Sequence, residues 1–286
     1  MVLRRKIQRK EKETGSHEGL TVSEVKKRIH PVEETIGKIS GLVYGRSGTG
    51  KTTFASSLLE LPDFYTDRDK VLLLDMREEG TDSVYDQKGI EVINVSDWRD
   101  VEGAYWYLKE SDHPYKGLII DTVTQLQFLA MDEAKRRAKK GKEEAMNKLS
   151  WGYLSSMLGP MLLDIRDLPM HSCILAQDRR EKIEEGDEES EDLLPEMGPA
   201  VMPSVSKSLT AMVKFIGQTY IQQKQKPTKK GIRHVTEFRM RIGPHPFYLT
   251  KVRTPRYNVV PKSIKDPSFL KVVKAMRGEY GQKTEV

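Results

Sequence analysis

Between residues 39 and 177, short apolar runs alternate with segments in which apolar residues recur every three or four positions. Unbroken apolar runs of this length are typical of strands covered on both faces, and the recurring pattern is typical of helices with one buried face. The predicted strands are residues 42–44, 70–75, 91–95, 116–122 and 171–177, and the predicted helices are residues 53–59, about 98–110 and 151–168. The alternation predicts an α/β fold whose mostly parallel, twisted sheet is flanked by helices.

The last third of the chain has a different pattern. Residues 212–223, 234–242 and 247–252 alternate or are rich in β-forming residues, and a basic linker with Pro and Gly, residues 224–231, separates the first two. They predict antiparallel strands added to the C-terminal edge of the parallel core. A short helix is predicted over Phe269–Arg277.

These patterns give a domain organisation. Residues 1–19, with six basic residues in the first twelve, are predicted to be a disordered basic arm. Residues 20–262 form the core, in which 178–196 is an acidic mobile loop and 210–253 supply the antiparallel strands. Residues 263–286 form a C-terminal helix and tail. Further helices are predicted near residues 21–36, over the charged segment 132–148 and from about Ser204.

Composition narrows the class of protein. Hydrophobic residues make up 37% and charged residues 31% of the 286 residues, which is ordinary for a soluble globular protein. No apolar run approaches the roughly 20 residues that span a bilayer. The basic start is not followed by an apolar region, so it does not have the pattern of a secretory signal peptide. Cys173 is the single cysteine, which excludes an internal disulfide. We therefore expect a cytoplasmic protein with no membrane partner.

The net charge of +6 is unevenly distributed. Residues 201–286 contain 18 Lys and Arg against 4 Asp and Glu, whereas residues 1–200 contain 30 against 38. A basic third of this size favours a polyanionic partner such as nucleic acid over a merely solvated surface.

One segment carries a specific chemical signal. Residues 45–52 match the phosphate-binding loop pattern G-x-x-x-x-G-K-[ST], between an apolar run and a helical pattern. Glycines allow the backbone N–H groups to wrap an anion, Lys51 would reach the β- and γ-phosphates, and Thr52 would ligate Mg²⁺. The predicted ATP-binding residues are Gly45, Arg46, Ser47, Gly48, Thr49, Gly50, Lys51, Thr52 and Thr53.

Polar residues end the other predicted strands, at the edge where ligands bind in open α/β sheets. Asp121 ends the strand 116–122 and would hold Mg²⁺ together with Thr52. Because Thr122 rather than Glu follows it, the catalytic base has to come from another strand, and Glu78 or Glu79 is well situated. Gln177 ends a further strand and can respond to the γ-phosphate.

Together, these motifs and a late Lys251-x-Arg253 resemble the RecA-like ATPase core. The compact form is most similar to phage-encoded RecA-core recombination ATPases, the ATPase branch of the Sak-type single-strand annealing proteins. The resemblance spans residues 36–261. It implies ATP and Mg²⁺ as cofactors and a homo-oligomer, ring or filament, that acts on single-stranded DNA, with a single-strand binding protein as a further partner.

The resemblance also implies roles for individual residues. The catalytic glutamate is Glu78 or Glu79, although the usual Asp-x-Glu spacing would put Arg77 at that position. Gln177 couples nucleotide state to the DNA-binding loop, and Lys251 and Arg253 reach the γ-phosphate of a neighbouring subunit. Because the loop after Gln177 is acidic, DNA contacts are expected from residues 197–207 or from the basic run 135–142.

The leading hypothesis is therefore a DNA-stimulated ATPase that acts in recombination or single-strand annealing. Two alternatives stay open: a hexameric helicase-like motor or loader with the same core, and a nucleotide-dependent scaffold or switch. A small-molecule P-loop kinase fits less well, because no Arg-rich lid separates the core strands.

Overall fold

The computed structural model describes residues 22–29, 38–76, 80–180, 197–228, 231–255 and 259–281. The chain divides into two compact units, residues 1–37 and 38–286. In the first unit the described part is a helix, α1 (Val22–Arg28). The second unit contains residues 38–262 of the predicted core and the predicted C-terminal helix and tail.

The helices and strands of the second unit follow the predicted alternation. The strands are β1 (Ser40–Tyr44), β2 (Lys70–Asp75), β3 (Ile90–Asn94), β4 (Tyr115–Asp121), β5 (His171–Ala176), β6 (Asp178–Arg180), β7 (Met197–Pro199), β8 (Phe215–Thr228), β9 (Gly231–Arg241), β10 (Lys251–Val252) and β11 (Ser263–Lys265). The helices are α2 (Lys51–Ser56), α3 (Trp98–Glu110), α4 (Val123–Arg137), α5 (Lys148–Asp167), α6 (Pro203–Met212) and α7 (Phe269–Arg277), with 3-10 turns at Ser57–Glu60 and Gly80–Val84. No helix in the described part of the chain is both long and apolar enough to cross a membrane.

Nine of the described strands form one sheet in the order β11-β9-β8-β1-β5-β4-β2-β3, with β10 paired to β8. The strands from β8 to β3 in this order pair in parallel, and β9, β10 and β11 pair antiparallel at the β8 side. The predicted α/β fold class, a mostly parallel sheet flanked by helices with antiparallel strands at one edge, is confirmed. Because parallel strands share their direction, β1, β2, β4 and β5 all end at one edge of the sheet.

Both faces of the sheet are covered by apolar layers. Leu72 and Leu74 of β2 contact the layer formed with α3 to α6, whereas Val71 and Leu73 contact the layer formed with α2 and α7. In the second layer the ring of Phe54 stacks on that of Phe269 with centroids 4.7 Å apart. The continuous apolar runs of the sequence therefore reflect burial on both sides.

The helices predicted at about 98–110, over 151–168 and over Phe269–Arg277 are confirmed, and the one predicted over 132–148 is wrong. Asp97 caps α3 through a capping box with Asp100, and the apolar residues predicted as core in α5 are buried. The charged segment 132–148, however, is not one helix: α4 ends at Arg137 and α5 begins at Lys148. Lys139 adopts φ 56°, which stops a right-handed helix, and Asn147 caps the next one.

The C-terminal strands also differ from the prediction. Residues 224–231 are not a linker, because β8 continues to Thr228 and β9 begins at Gly231, and the two form a long hairpin. Of the predicted strand 247–252, only Lys251–Val252 pairs with the sheet. Phe247 and Leu249 instead exchange backbone hydrogen bonds with Met197, which diverts that segment from the sheet.

The ends of the predicted acidic loop are ordered strands. β6 and β7 pair antiparallel, with Asp178 opposite Pro199. Residues 181–196, which include most of the predicted mobile loop, lie outside the described residues, as does the predicted arm 1–19.

Candidate nucleotide-binding site

Residues 45–50 connect β1 to α2 and have the conformation that the glycine pattern predicts. Gly50 adopts φ 86° directly before α2, a left-handed conformation that favours glycine. A Cβ atom on Gly45 would lie 2.6 Å from the carbonyl oxygen of Thr219, so only glycine allows β8 to approach this closely. Arg46, Ser47 and Gly48 are exposed at the crest of the loop.

Lys51 lies beneath the loop with its side chain folded back. Its residue is 7% exposed, and its Nζ donates to the carbonyl oxygens of Gly45 and Arg46 at 2.9 and 3.1 Å. The same Nζ lies 3.4 Å from Oε1 of Gln177 at the end of β5. The structure therefore brings together two residues that are 126 positions apart in the sequence.

The two predicted metal ligands are also in contact. Thr52 Oγ1 donates to Asp121 Oδ2 at 2.8 Å, and Asp121 is 3% exposed. A hydroxyl and a carboxylate oxygen are hard donors that suit Mg²⁺, which keeps several waters and bridges to phosphate rather than entering an all-protein cage. In line with this, the described residues contain no cluster of three or more His, Cys, Asp or Glu that could hold a metal ion.

A second buried carboxylate, which the sequence analysis did not select, lies beside Asp121. Asp75 ends β2, is 8% exposed and is the register partner of Asp121, so the two residues share a face of the sheet. The N–H of the next residue, Met76, donates to the carbonyl oxygen of Asp121 at 2.7 Å. The signal available in the sequence was the polar last residue of an apolar strand. Glu78 and Glu79, the predicted bases, lie outside the described residues.

Strand β8 supports the phosphate loop from the other side. Thr219, 1% exposed, lies with its Oγ1 2.8 Å from Oγ1 of Thr49 and 3.3 Å from the carbonyl oxygen of Tyr44. Thr49 also donates to the carbonyl oxygen of Arg46 at 2.7 Å. Sequence reasoning missed Thr219 because only the pairing of β8 with β1 brings it to the loop.

A groove of about 530 Å³ continues from the loop along the outer side of α2. Its volume is within the range of small-molecule sites. Phe238, 43% exposed, lies at its edge, and a Cβ on Gly50 would be 3.6 Å from the Phe238 ring. The other residues that line it are Thr49, Thr53, Phe54, Ser56, Ser57, Leu59, Glu60, Gln87, Asp266, Pro267, Ser268 and Lys271.

Gln177 also makes backbone contacts to two other elements. Its N–H donates to Thr124 Oγ1 of α4 at 3.1 Å, and its carbonyl oxygen accepts from the N–H of Ala200 at 2.7 Å. Ala200 lies just before α6. Gln177, at the end of β5, therefore contacts Lys51 through its side chain and the segment before α6 through its backbone.

The side chains of Lys251 and Arg253 do not contact the phosphate loop of their own chain. Lys251 is the register partner of Ile216, which pairs with Leu42, and the Arg253 N–H donates to the carbonyl oxygen of Lys214. Arg253 is therefore level with Ser40, the first residue of β1, and Lys251 is level with Leu42 in the middle of the strand. Their side chains donate to the carbonyl oxygens of Thr210 and Ala211 at the end of α6, and burial together with the neighbouring Arg253 lowers the pKa of Lys251.

Burial also determines the electrostatics around the strand ends. It raises the pKa of the Cys173 thiol, with a further contribution from the Asp121 carboxylate, so the thiol beside the site stays protonated. Burial likewise raises the pKa of Tyr44, whose hydroxyl donates to the carbonyl oxygen of Met197 at 3.0 Å. Neither group is an available base at neutral pH.

Comparison with known proteins agrees with this geometry. A family model described as an AAA domain matches residues 37–254, from the segment before β1 to the residues after β10. No curated protein matches the chain. Among solved structures, a KaiC-like protein from the hyperthermophilic archaeon Pyrococcus horikoshii OT3 matches with 11% identity, a TM-score of 0.36, and coverage of 71% of this chain and 77% of its own. A likeness at that level indicates neither activity nor partners. The AAA-domain match spans well over half of the 286 residues and contains the phosphate loop, so the chain belongs to the AAA domain family and is a P-loop ATPase.

Proposed function

We propose that this ATPase acts on single-stranded DNA as an oligomer, in recombination or annealing of the Sak type. The observation that carries the proposal is the link from Lys51 through Gln177 to Ala200. This link joins the phosphate loop to the segment that leads into α6, and the chain has no Asp or Glu from residue 197 to residue 236. A DNA-contacting surface connected to the γ-phosphate position is what a DNA-stimulated ATPase requires.

ATP is the proposed nucleotide and Mg²⁺ its metal. The backbone of residues 45–50 would hold the phosphates, and Lys51 would exchange its bonds to the Gly45 and Arg46 carbonyls for bonds to phosphate oxygens. Thr52 and Asp121 would hold Mg²⁺, which when bound neutralises charge on the transferred phosphoryl group. The groove beside α2 would take the nucleoside, with the base against the exposed ring of Phe238.

The proposed base for the attacking water is Glu78 or Glu79, in the segment after β2. Asp75 would support the site from the strand itself, because its carboxylate position is next to that of Asp121 on the same face of the sheet. Two adjacent acidic positions favour a divalent cation between them and the phosphates.

The position of Lys251 and Arg253 supports a shared site. Because both side chains bind carbonyl oxygens at the end of α6 and not the phosphate loop, they do not complete the phosphate site of their own chain. In a ring or filament they would instead face a neighbouring subunit, where an arginine can stabilise charge on the γ-phosphate.

One pair of assays tests the proposed function: the ATPase rate with and without single-stranded DNA, followed by annealing and unwinding assays on the same substrates. We expect DNA to stimulate hydrolysis and the protein to accelerate annealing in the presence of ATP. Lys51→Ala is the control and should abolish hydrolysis, because it removes the cation beneath the loop.

The alternatives give different results in these assays. ATP-dependent unwinding without annealing would indicate the helicase-like motor or loader. An ATPase rate that DNA leaves unchanged, together with no DNA binding, would contradict the proposal and favour the nucleotide-dependent scaffold or switch.

A further inference from the structure

The hairpin β8–β9 extends well beyond the sheet that anchors it. β1 pairs with β8 only over residues 215–218, and β11 pairs with β9 only over residues 239–241. Farther out, the described residues of the two strands pair only with each other, and we call residues 222–228 and 231–237 the ribbon arm. Seven residues of β8 at about 3.3 Å each give the arm a length of about 23 Å. Because β8 runs parallel to β1, the arm projects from the sheet edge that carries the phosphate loop.

The arm is positively charged along its length. Residues 218–236 contain five basic residues and no acidic one. Glu237, at the base of the arm, lies 3.0 Å from Lys224, 3.0 Å from Arg239 and 3.5 Å from Lys265. These partners, with Lys224 first, lower the pKa of Glu237 to about 2, so it is ionised at neutral pH and is surrounded by more positive than negative charge.

The strand register separates the arm into two faces. Lys224 is opposite Val235, and alternation along β9 puts Arg233 and Arg239 on the same side as Val235, so these three basic residues share one face. The other face has Gln223, Gln225, Thr236 and His234, with Ile221 and Ile232 exposed by 44% and 65%. The basic positions therefore form one continuous face, which suits the phosphate backbone of a nucleic acid.

We propose that the ribbon arm binds the phosphate backbone of a nucleic acid. The basic face supplies the charge that a phosphodiester chain requires, and a two-stranded ribbon is also narrow enough to enter the major groove of a duplex. The inference deepens the proposed function and rests on it, because it adds this arm to the DNA-contacting residues expected at 197–207 or 135–142.

The base of the arm connects this contact to the nucleotide site. Thr219 contacts Thr49 of the phosphate loop, and Phe238 adjoins Gly50 and the groove. A nucleic-acid backbone bound along the arm would therefore act on the two strand segments that contact the phosphate loop. This is a second route, besides Gln177, by which DNA can change ATP hydrolysis.

The test measures binding of the full chain to a labelled oligodeoxythymidine, and to a duplex of the same length, across a series of salt concentrations. The variant is Lys224→Gln/Arg233→Gln, and the matched control is Lys274→Gln/Arg277→Gln, which removes two exposed charges from α7. A second variant replaces residues 225–234 with Asn-Gly, a two-residue turn that suits the opposed positions Lys224 and Val235. Melting temperatures check that each variant folds.

We expect the double variant to reduce the slope of log K against log salt by about 1.4 on the single strand, or about 1.8 if duplex is the ligand, since each lost phosphate contact removes about 0.7 or 0.9. The control should leave the slope unchanged, and the shortened arm should reduce it further. Loss on the single strand alone, or on the duplex alone, identifies the source of the phosphates.

Failure of this inference is distinct from failure of the proposed function. If the unmodified chain binds no nucleic acid, the proposed function fails and the inference fails with it. If the unmodified chain binds and both arm variants keep its affinity and slope, only the arm assignment is overturned. A change in oligomer size without any change in the slope would overturn it too, and would assign the arm to a second copy of the chain.

Discussion

The contact between Thr219 and Thr49 predicts that β8 helps to hold the phosphate loop in its binding conformation. Thr219→Val keeps the shape of the side chain and removes the hydroxyl, so the buried Oγ1 of Thr49 loses its partner at 2.8 Å. Thr49 still donates to Arg46, so one hydrogen bond is lost and no donor is orphaned.

Loss of one buried hydrogen bond costs about 1 kcal/mol, and up to about 2 kcal/mol if the Thr49 oxygen stays unsatisfied. An equilibrium between an ordered and a disordered loop would shift by a factor of about 5 to 30. Since only the ordered loop binds phosphate, the apparent Kd for ATP should rise by up to that factor, the full factor applying where the ordered loop is the minor state. In chains of this size about 1 kcal/mol also lowers Tm by roughly 2–4 °C.

The assay compares nucleotide affinity and Tm of Thr219→Val with those of Thr219→Ser, which keeps the hydroxyl and loses the methyl group. We expect Thr219→Ser to bind ATP nearly normally and to lose stability only through packing. If the two variants weaken ATP binding equally, the hydroxyl has no part in bracing the loop, and the reasoning is refuted.

The remaining predictions concern the groove, the shared site and the far end of the sheet. Phe238→Ala should weaken ATP binding by about 0.5–1.5 kcal/mol without a comparable loss for inorganic triphosphate; equal losses for both ligands would contradict a base contact. Arg253→Ala should reduce ATP hydrolysis while ATP affinity is retained. If two subunits share each site, mixing Arg253→Ala with Lys51→Ala should recover hydrolysis, and a lack of recovery at every mixing ratio would argue against shared sites. His171 is 4% exposed, and its burial lowers its pKa. The pKa of the neighbouring Asp63 is lowered by its hydrogen bond from Lys38 and, to a lesser extent, by His171. Both folded pKa values are below the unfolded ones, so Tm should fall as pH decreases below about 6.5 and fall again below about 4; a Tm that is flat from neutral pH to 5, or equally steep in His171→Gln, would contradict this.

Several features were predictable because their signals are local. A phosphate loop requires glycine at particular backbone angles and a lysine at a fixed spacing, and the pattern at residues 45–52 meets both requirements. The helix at about 98–110 and the bounds of Phe269–Arg277 depend on neighbouring residues, and the structure agrees with both. Unbroken apolar runs predicted a parallel sheet, since they suit strands that are covered on both sides.

Local patterns failed where long-range contacts outweigh local preference. The Lys-rich segment 224–231 looks like a linker because Pro and Gly discourage strands, yet β8 and β9 pair through it. Residues 247–250 have the composition of a strand, but hydrogen bonds to Met197 draw them away from the sheet.

The sequence by itself determined that the chain has a phosphate loop, the strand-end aspartate Asp121 and an α/β framework. Backbone angles and hydrophobic period are properties of neighbouring residues, so short stretches of sequence reveal them. Only the tertiary structure decided which distant residues share the site. The order of strands in the sheet puts Asp75 beside Asp121, Gln177 against Lys51 and Thr219 under the loop, and it puts Lys251 and Arg253 against the end of α6. Strand order and register arise from burying whole faces at once, and no short stretch of sequence carries that information.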